Sequence, residues 1–263
     1  MKPLILVRGG GDIASGAIYR LRRAGYPVVV NEIAIPTMIR REVSYGNAVH
    51  CGEMILERLV ARHVCIGEIQ DTLSQGVIPV VTSSYEELLD QLHPDVVVDA
   101  ILAKKNVGTT RLDAPFVIGV GPGFSAGRDV RGHNLGRCIY DGEAEPNTGI
   151  PGNVGGYTHE RVIHSPKAGV FTAKRHIGDE VQANEVIGYV DEEPVRAKIT
   201  GTLRGILKTG LIVSDHFKLA DVDARCEESH CYSISDKSLA VGGGVLEAVT
   251  AWDYERNKDG KHL

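Results

Sequence analysis

The sequence predicts an α/β protein, with a doubly wound parallel sheet in residues 1–160, a smaller all-β domain in 161–232, and a helix in 233–263 that packs back on the first part. Three observations predict it. Short apolar runs alternate with helical periodicity through the first half, the pattern of right-handed βαβ crossovers. Residues 161–232 carry a glycine-punctuated internal repeat. The 31 glycines in 263 residues, about 12% against a usual ~7%, imply tight turns or backbone pressed against a ligand.

Residues 4–7 are a short apolar strand that breaks into Arg8-Gly9-Gly10-Gly11-Asp12, after which a helix runs to Gly25 with Ile13, Ala17 and Leu21 on its inner face. A second strand covers 27–32. Gly9-x-Gly11-x-x-Ala14 fits the dinucleotide fingerprint, and Glu32 stands about 20 residues on, where a ribose-binding acid belongs. This makes the sheet Rossmann-like. Glycines let the chain approach a pyrophosphate, and the helix N-terminus offers N–H groups and a positive dipole end. Asp12 opposes a bare phosphate and favours a sugar, base or metal beside it.

Residues 54–64 read equally as hairpin or helix. Then come a helix at 69–73, a strand at 77–81, a helix at 84–92 with Ser84 as its cap, and apolar strands at 94–100 and 115–120. Ligands of such sheets lie beyond the carboxyl ends of the strands. Three loops converge there: Gly9 to Asp12, Asp99 to Lys104, and Gly121-Pro122-Gly123-Phe124-Ser125-Ala126-Gly127-Arg128. Gly121, Gly123 and Gly127 have the spacing of an anion-binding nest, Ser125 adds a hydroxyl, and Arg128 or Lys104 supplies charge. The segment 143–157, with Asn147 and Thr148, lacks apolar periodicity and reads as a lid over the crevice or as a connector.

In the second domain an offset of 32 residues pairs Gly169 with Gly201, Gly178 with Gly210, Val181 with Val213 and Val190 with Val222. The duplicated half-motif resembles the barrel-sandwich hybrid of lipoyl and biotinyl carrier domains. Carriers hold their modified lysine at the tip between the halves. Here the tip is Asp191-Glu192-Glu193-Pro194, so no covalent lipoyl or biotin is expected. Residues 235–249 read as a helix whose three consecutive glycines, at ~1 kcal/mol each relative to alanine, need a close backbone or ligand to offset them.

A net charge of −5 and 5% aromatic residues argue against nucleic-acid binding. No run reaches the ~18 apolar residues of a membrane span, so a cytoplasmic protein with reduced thiols is expected. No residues are assigned to a metal: Cys226, His230 and Cys231 have the wrong spacing for a zinc knuckle, and His50 beside Cys51 is as readily a surface pair.

The strings Arg8-Gly9-Gly10-Gly11-Asp12, Asp99-Ala100-Ile101-Leu102-Ala103-Lys104, Gly121-Pro122-Gly123-Phe124, Glu145-Pro146-Asn147-Thr148-Gly149 and Ile234-Ser235-Asp236-Lys237 together resemble the YqeB-type accessory proteins of selenium-dependent molybdenum hydroxylases. The resemblance implies a role in maturing a selenium- and molybdenum-containing cofactor. The implied partners are the hydroxylase apoprotein or its maturation machinery, and the implied ligand is the molybdenum cofactor or another small phosphorylated molecule such as a nucleotide. It assigns no catalytic residue, and a homo-oligomer stays open. The alternatives are an NAD(P)-dependent oxidoreductase, which lacks a Tyr-x-x-x-Lys pair here, and a ligand-free scaffold. The charge assignment yields a prediction. Arg128→Ala should weaken an anionic ligand ~10- to 100-fold and leave a neutral analogue untouched, as titration of both will show; equal weakening makes Arg128 structural.

Overall fold

The computed structural model describes residues 2–126, 131–134, 136–144, 146 and 149–259, with 131–134 and 259 described by backbone alone. The chain divides into two units: Met1–Pro36, Ser44–Asn147 and Ile234–Leu263 form one, Thr37–Val43 and Thr148–Ser233 the other.

In the first unit β1 (Ile5–Arg8) leads through Gly9–Gly11 into α1 (Asp12–Arg23) and β2 (Val28–Asn31). A short helix α2 (Ala48–Cys51) precedes the hairpin β3 (Glu53–Leu56) and β4 (Leu59–His63), then come α3 (Ile69–Ser74), β5 (Ile78–Val81), α4 (Tyr85–Leu92) and β6 (Val96–Asp99). The chain continues through β7 (Phe116–Val120), β8 (Ser125–Ala126), β9 (Arg131–Asn134), β10 (Arg137–Ile139) and β11 (Gly142–Glu143), and the unit closes with α5 (Asp236–Asp259). Strands β2, β5 and β6 are buried along their whole length and β1 in all but Arg8, which is why they read as apolar runs. Ser84 caps α4, its Oγ accepting the Glu87 N–H at 3.2 Å.

The sheet has nine strands in the order β10-β9-β7-β6-β1-β2-β5-β4-β3. The pairs from β9 through β4 are parallel, and the outermost pairs at both edges, β10–β9 and β3–β4, are antiparallel. The expected Rossmann-like doubly wound parallel sheet is therefore corrected to a mixed sheet. Two features depart from the regular winding: each edge is finished by an antiparallel hairpin, and the connection from β6 to β7 contains no helix among the described residues. No helix of the described residues is long and apolar enough to cross a membrane.

The second unit holds β12 (Val162–His164), β13 (Gly169–Ala173), β14 (Glu180–Val181), β15 (Val186–Val190), β16 (Glu193–Arg196), β17 (Gly201–Ile206), β18 (Ile212–Val213) and β19 (Lys218–Asp223). They form two four-stranded antiparallel sheets, β12-β19-β17-β14 and β16-β15-β13-β18. The expected barrel-sandwich-hybrid domain is corrected to this pair of separate sheets, each retaining two edge strands. The repeat survives: it carries β12, β13, β14 and β15 onto β16, β17, β18 and β19, so each sheet takes strands from both halves. Phe171, Ile187, Leu203, Leu219 and Val222, all fully buried, lie in the shared apolar core. The ion pair of Arg161 with Asp221 and the bidentate pair of Arg225 on buried Asp223, at 2.9 and 2.6 Å, satisfy the charges that β19 carries inward.

Within the first unit, α5 lies against α1 at a point with no room for side chains. A Cβ on Gly16 would meet the Ser238 carbonyl oxygen at 2.0 Å, and one on Gly242 would meet the Gly16 oxygen at 2.2 Å. Farther along α5, Trp252 stacks on Phe116 of β7 with ring centroids 5.4 Å apart, and Arg256 pairs with Asp95 at 3.0 Å. Gly243 differs from Gly242 in that a Cβ there meets nothing within 4 Å. Urea unfolding should therefore separate two neighbouring variants: Gly242→Ala destabilised by about 1–3 kcal/mol through overpacking, Gly243→Ala stabilised by up to ~1 kcal/mol through helix propensity.

Candidate functional site

Strand register brings the predicted loops to one edge. Arg8 aligns with Asn31 on one side and Asp99 on the other, and Asp99 aligns with Gly119, so the turns after β1, β2, β6 and β7 leave the sheet at one level. There the loops pack mainly on each other. Gly9, at φ +96°, lies against the backbone of the loop after β6, where a Cβ would come within 3.1 Å of Ala100 and Ile101. A Cβ on Gly10 would meet the Gly46 backbone at 2.7 Å, and the Gly10 carbonyl accepts the Gly46 N–H at 2.8 Å. Gly121 abuts the Leu102 side chain, and Gly123 abuts the Lys105 backbone, both at left-handed φ. Of the expected nest glycines, Gly121 and Gly123 thus make room for protein.

Gly11 is the exception within the triplet. It is the N-cap of α1 in extended conformation, and among the described residues no side chain caps the helix there and a Cβ on it would meet nothing within 4 Å. The turn beneath is held from inside. Ser15 Oγ donates to the Gly11 carbonyl at 2.9 Å and accepts the Tyr45 N–H at 2.9 Å. Glu32, at the end of β2, accepts the Gly10 N–H and its neighbour Ile33's N–H, each at 2.8 Å. Burial raises the Glu32 carboxyl above its ordinary value, and these two bonds oppose the shift. The carboxylate thus braces the turn and takes one of the donors that the fingerprint offers a phosphate. Asp12 is half-buried in the first turn of α1.

Asp99 is 1% exposed. Its Oδ2 accepts from the Thr109 hydroxyl at 2.5 Å and lies 3.4 Å from Arg8, and its Oδ1 accepts the Ile101 N–H at 3.2 Å. Arg8 also donates to Thr109 Oγ1 at 2.8 Å and to the Val107 carbonyl at 3.1 Å, and its guanidinium stacks 4.2 Å over the Tyr85 ring. The Tyr85 hydroxyl donates to Asp113 at 2.6 Å; burial, then that carboxylate, hold its pKa well above the ordinary tyrosine value. Lys104 is exposed at a left-handed φ of +64°, and Ser125 is half-buried in β8. Gly127, Arg128, Asn147 and Thr148 lie outside the described residues. Among the described residues, no three His, Cys, Asp or Glu side chains group to hold a metal ion.

Sequence reasoning missed Ser15, Arg8, Tyr85 and Thr109, whose roles appear only once the loops meet. It also missed a hollow at the ends of β4 and β5 that includes His63 and Thr82. Arg8 alone had a local signal, standing at the last position of β1 where an apolar residue would otherwise enter the turn.

No protein-family model matches the chain. It is 45% identical over 254 residues, 94% of its length, to the uncharacterized protein YqeB of Escherichia coli (strain K12). The chain spans 47%, about half, of that relative's length. Among solved structures it is similar to the product-bound ectoine utilization protein EutE (DoeB) from Ruegeria pomeroyi, at 10% identity over 84% of this chain and 85% of that one, TM-score 0.27. It is similar also to an aspartoacylase family protein from Mesorhizobium loti, at 11% identity over the same shares, TM-score 0.28. At such scores neither structure carries an argument about this chain. The identity to YqeB across nearly all 263 residues supports the YqeB-type family as the one that this chain resembles.

Proposed function

We propose that this chain is an accessory protein in the maturation of a selenium-dependent molybdenum hydroxylase, and that it holds a phosphorylated ligand, a pterin cofactor or a nucleotide, at the carboxyl edge of its nine-stranded sheet. The family role rests on the resemblance and on the identity to YqeB. The ligand role rests on Gly11: among the described residues no side chain caps this N-terminus of a 12-residue helix, and the position has open space where a side chain would sit. Open space at the positive end of a helix dipole suits an anionic group brought against backbone N–H donors.

The chain's own residues then divide the work. Gly11 admits the ligand's anionic group, and the first turn of α1 supplies N–H donors. Glu32 and Ser15 keep the turn from collapsing into that space. This is an arrangement for holding and orienting a molecule; no side chain of the site is given a proton-transfer or nucleophilic step.

Gly11→Val should fold, with a melting temperature near that of the parent chain, and lose at least about tenfold in affinity for its phosphorylated ligand. Calorimetric titration against AMP, GTP, NAD and molybdopterin reads this directly, and unchanged affinity for whichever of these binds overturns the ligand reading. Gly10→Val is the contrast: with the Gly46 backbone 2.7 Å from the new Cβ, it should unfold the turn instead.

A further inference from the structure

The same sheet edge has a second concavity, set apart from the glycine turn. Beyond the ends of β4 and β5 lies a hollow of about 350 Å³. That volume is near the lower end of small-molecule sites, ~300–1,000 Å³, and holds a one- or two-ring compound. Its apolar lining is Val64, Ile66 and Val81. Its polar lining includes His63, whose Nε2 lies 3.3 Å from Thr82 Oγ1, and Glu68, one carboxylate oxygen of which accepts the Cys65 N–H at 2.8 Å. That bond fixes the carboxylate and leaves its second oxygen as an acceptor.

The lining chemistry narrows the occupant. Among the described residues, neither lysine nor arginine borders the hollow, so a free anion finds no counter-charge from them there. Among the described residues, no three His, Cys, Asp or Glu side chains come together there to hold a metal ion. Aliphatic side chains beside an imidazole, a hydroxyl and an anchored carboxylate suit a flat, largely uncharged ring with hydrogen-bonding edges. A carboxylate accepts well from an amino group and an adjacent ring N–H. We propose that this hollow binds a planar nitrogen heterocycle of purine or pteridine size, with an amino-bearing edge toward Glu68.

The proposal deepens the ligand reading above and rests on it in one respect, that such a ring arrives with an anionic tail. At ~4.8 Å per strand, the order β1-β2-β5-β4 sets the hollow roughly 10–14 Å from the Gly11 cradle, a span that a ring with a phosphorylated side chain can bridge.

Cys65 borders the hollow and is exposed, and exposed Cys226 of the other unit serves as reference. In the full chain, alkylation by iodoacetamide is followed at each cysteine by peptide mass spectrometry, with millimolar guanosine as the ring probe and inorganic phosphate as the anion control. Guanosine should slow Cys65 at least about fivefold and leave Cys226 unchanged, while phosphate changes neither rate. In Thr82→Trp, which fills the hollow, the rates with and without guanosine should become equal. Gly11→Val should retain the protection, because guanosine carries no phosphate, so failure of the anion cradle and failure of the ring site give different results. Absence of protection at Cys65, equal slowing at Cys226, or protection by phosphate alone overturns the proposal.

Discussion

Contact of backbone on backbone at Gly9 and Gly10 is the constraint from which the carboxyl edge of the sheet takes its form. One glycine meets the chain after β6 and the other meets Gly46, so the turn after β1 is clasped on two sides with no side chain between. Close packing of this kind does not yield: a methyl group needs a few tenths of an ångström that neither neighbour can give without moving a strand end. Two residues of the triplet are thereby committed to structure, and the open space is confined to the third. Among the described residues, Gly11 is the one position of the triplet where protein does not occupy the room that a side chain would take.

The second organising element is electrostatic. The connection from β6 to β7 has no helix to cover the sheet, and Arg8, Asp99 and Thr109 fasten it instead. A carboxylate buried as deeply as Asp99 is tolerated because a hydroxyl, a backbone N–H and a guanidinium all face it. Arg8 itself stacks on the Tyr85 ring and donates to the Val107 carbonyl. Such networks contribute little when complete and are costly when broken, since removing one partner strands a buried charge. The network also joins α4 to this loop through Tyr85 and Asp113, so the tyrosine helps hold the loop whose Ala100–Ile101 backbone meets Gly9.

The legible parts of the fold were those where chemistry is local. The apolar runs that became β1, β2, β5 and β6, the Ser84 cap, and the glycine repeat of the second unit are all written within a few residues of where they act. The edge hairpin was not legible. Its turn is Glu57-Arg58, both at positive φ, where Asn-Gly would have been the readable signal. The mixed character of the sheet hid for the same reason, because nothing in a short strand records the direction of its neighbour. Among the site residues, the glycines were visible as a pattern, but their division into packed and open positions depends on Ala100, Gly46, Leu102 and Lys105, which are distant in sequence. The α5 glycines were conspicuous for their cost, and Gly16, the partner that accounts for Gly242, was conspicuous only as part of another motif.

The seating of α5 against α1 bears on how the chain is made. Gly16 and Gly242 must meet before either helix is fully packed, and the ribosome delivers them in sequence. At ~5–20 residues per second, α1 waits roughly 10–45 s for its partner. During that wait the bare backbone of Gly16 and Ala17 has no α5 to cover it, and the second unit's two sheets are synthesised in between. Contacts of such high sequence separation form late and slowly. Completion of the first unit is thus tied to the emergence of α5, and a nascent chain stalled anywhere before residue 236 exposes a helix face shaped for a partner that does not yet exist.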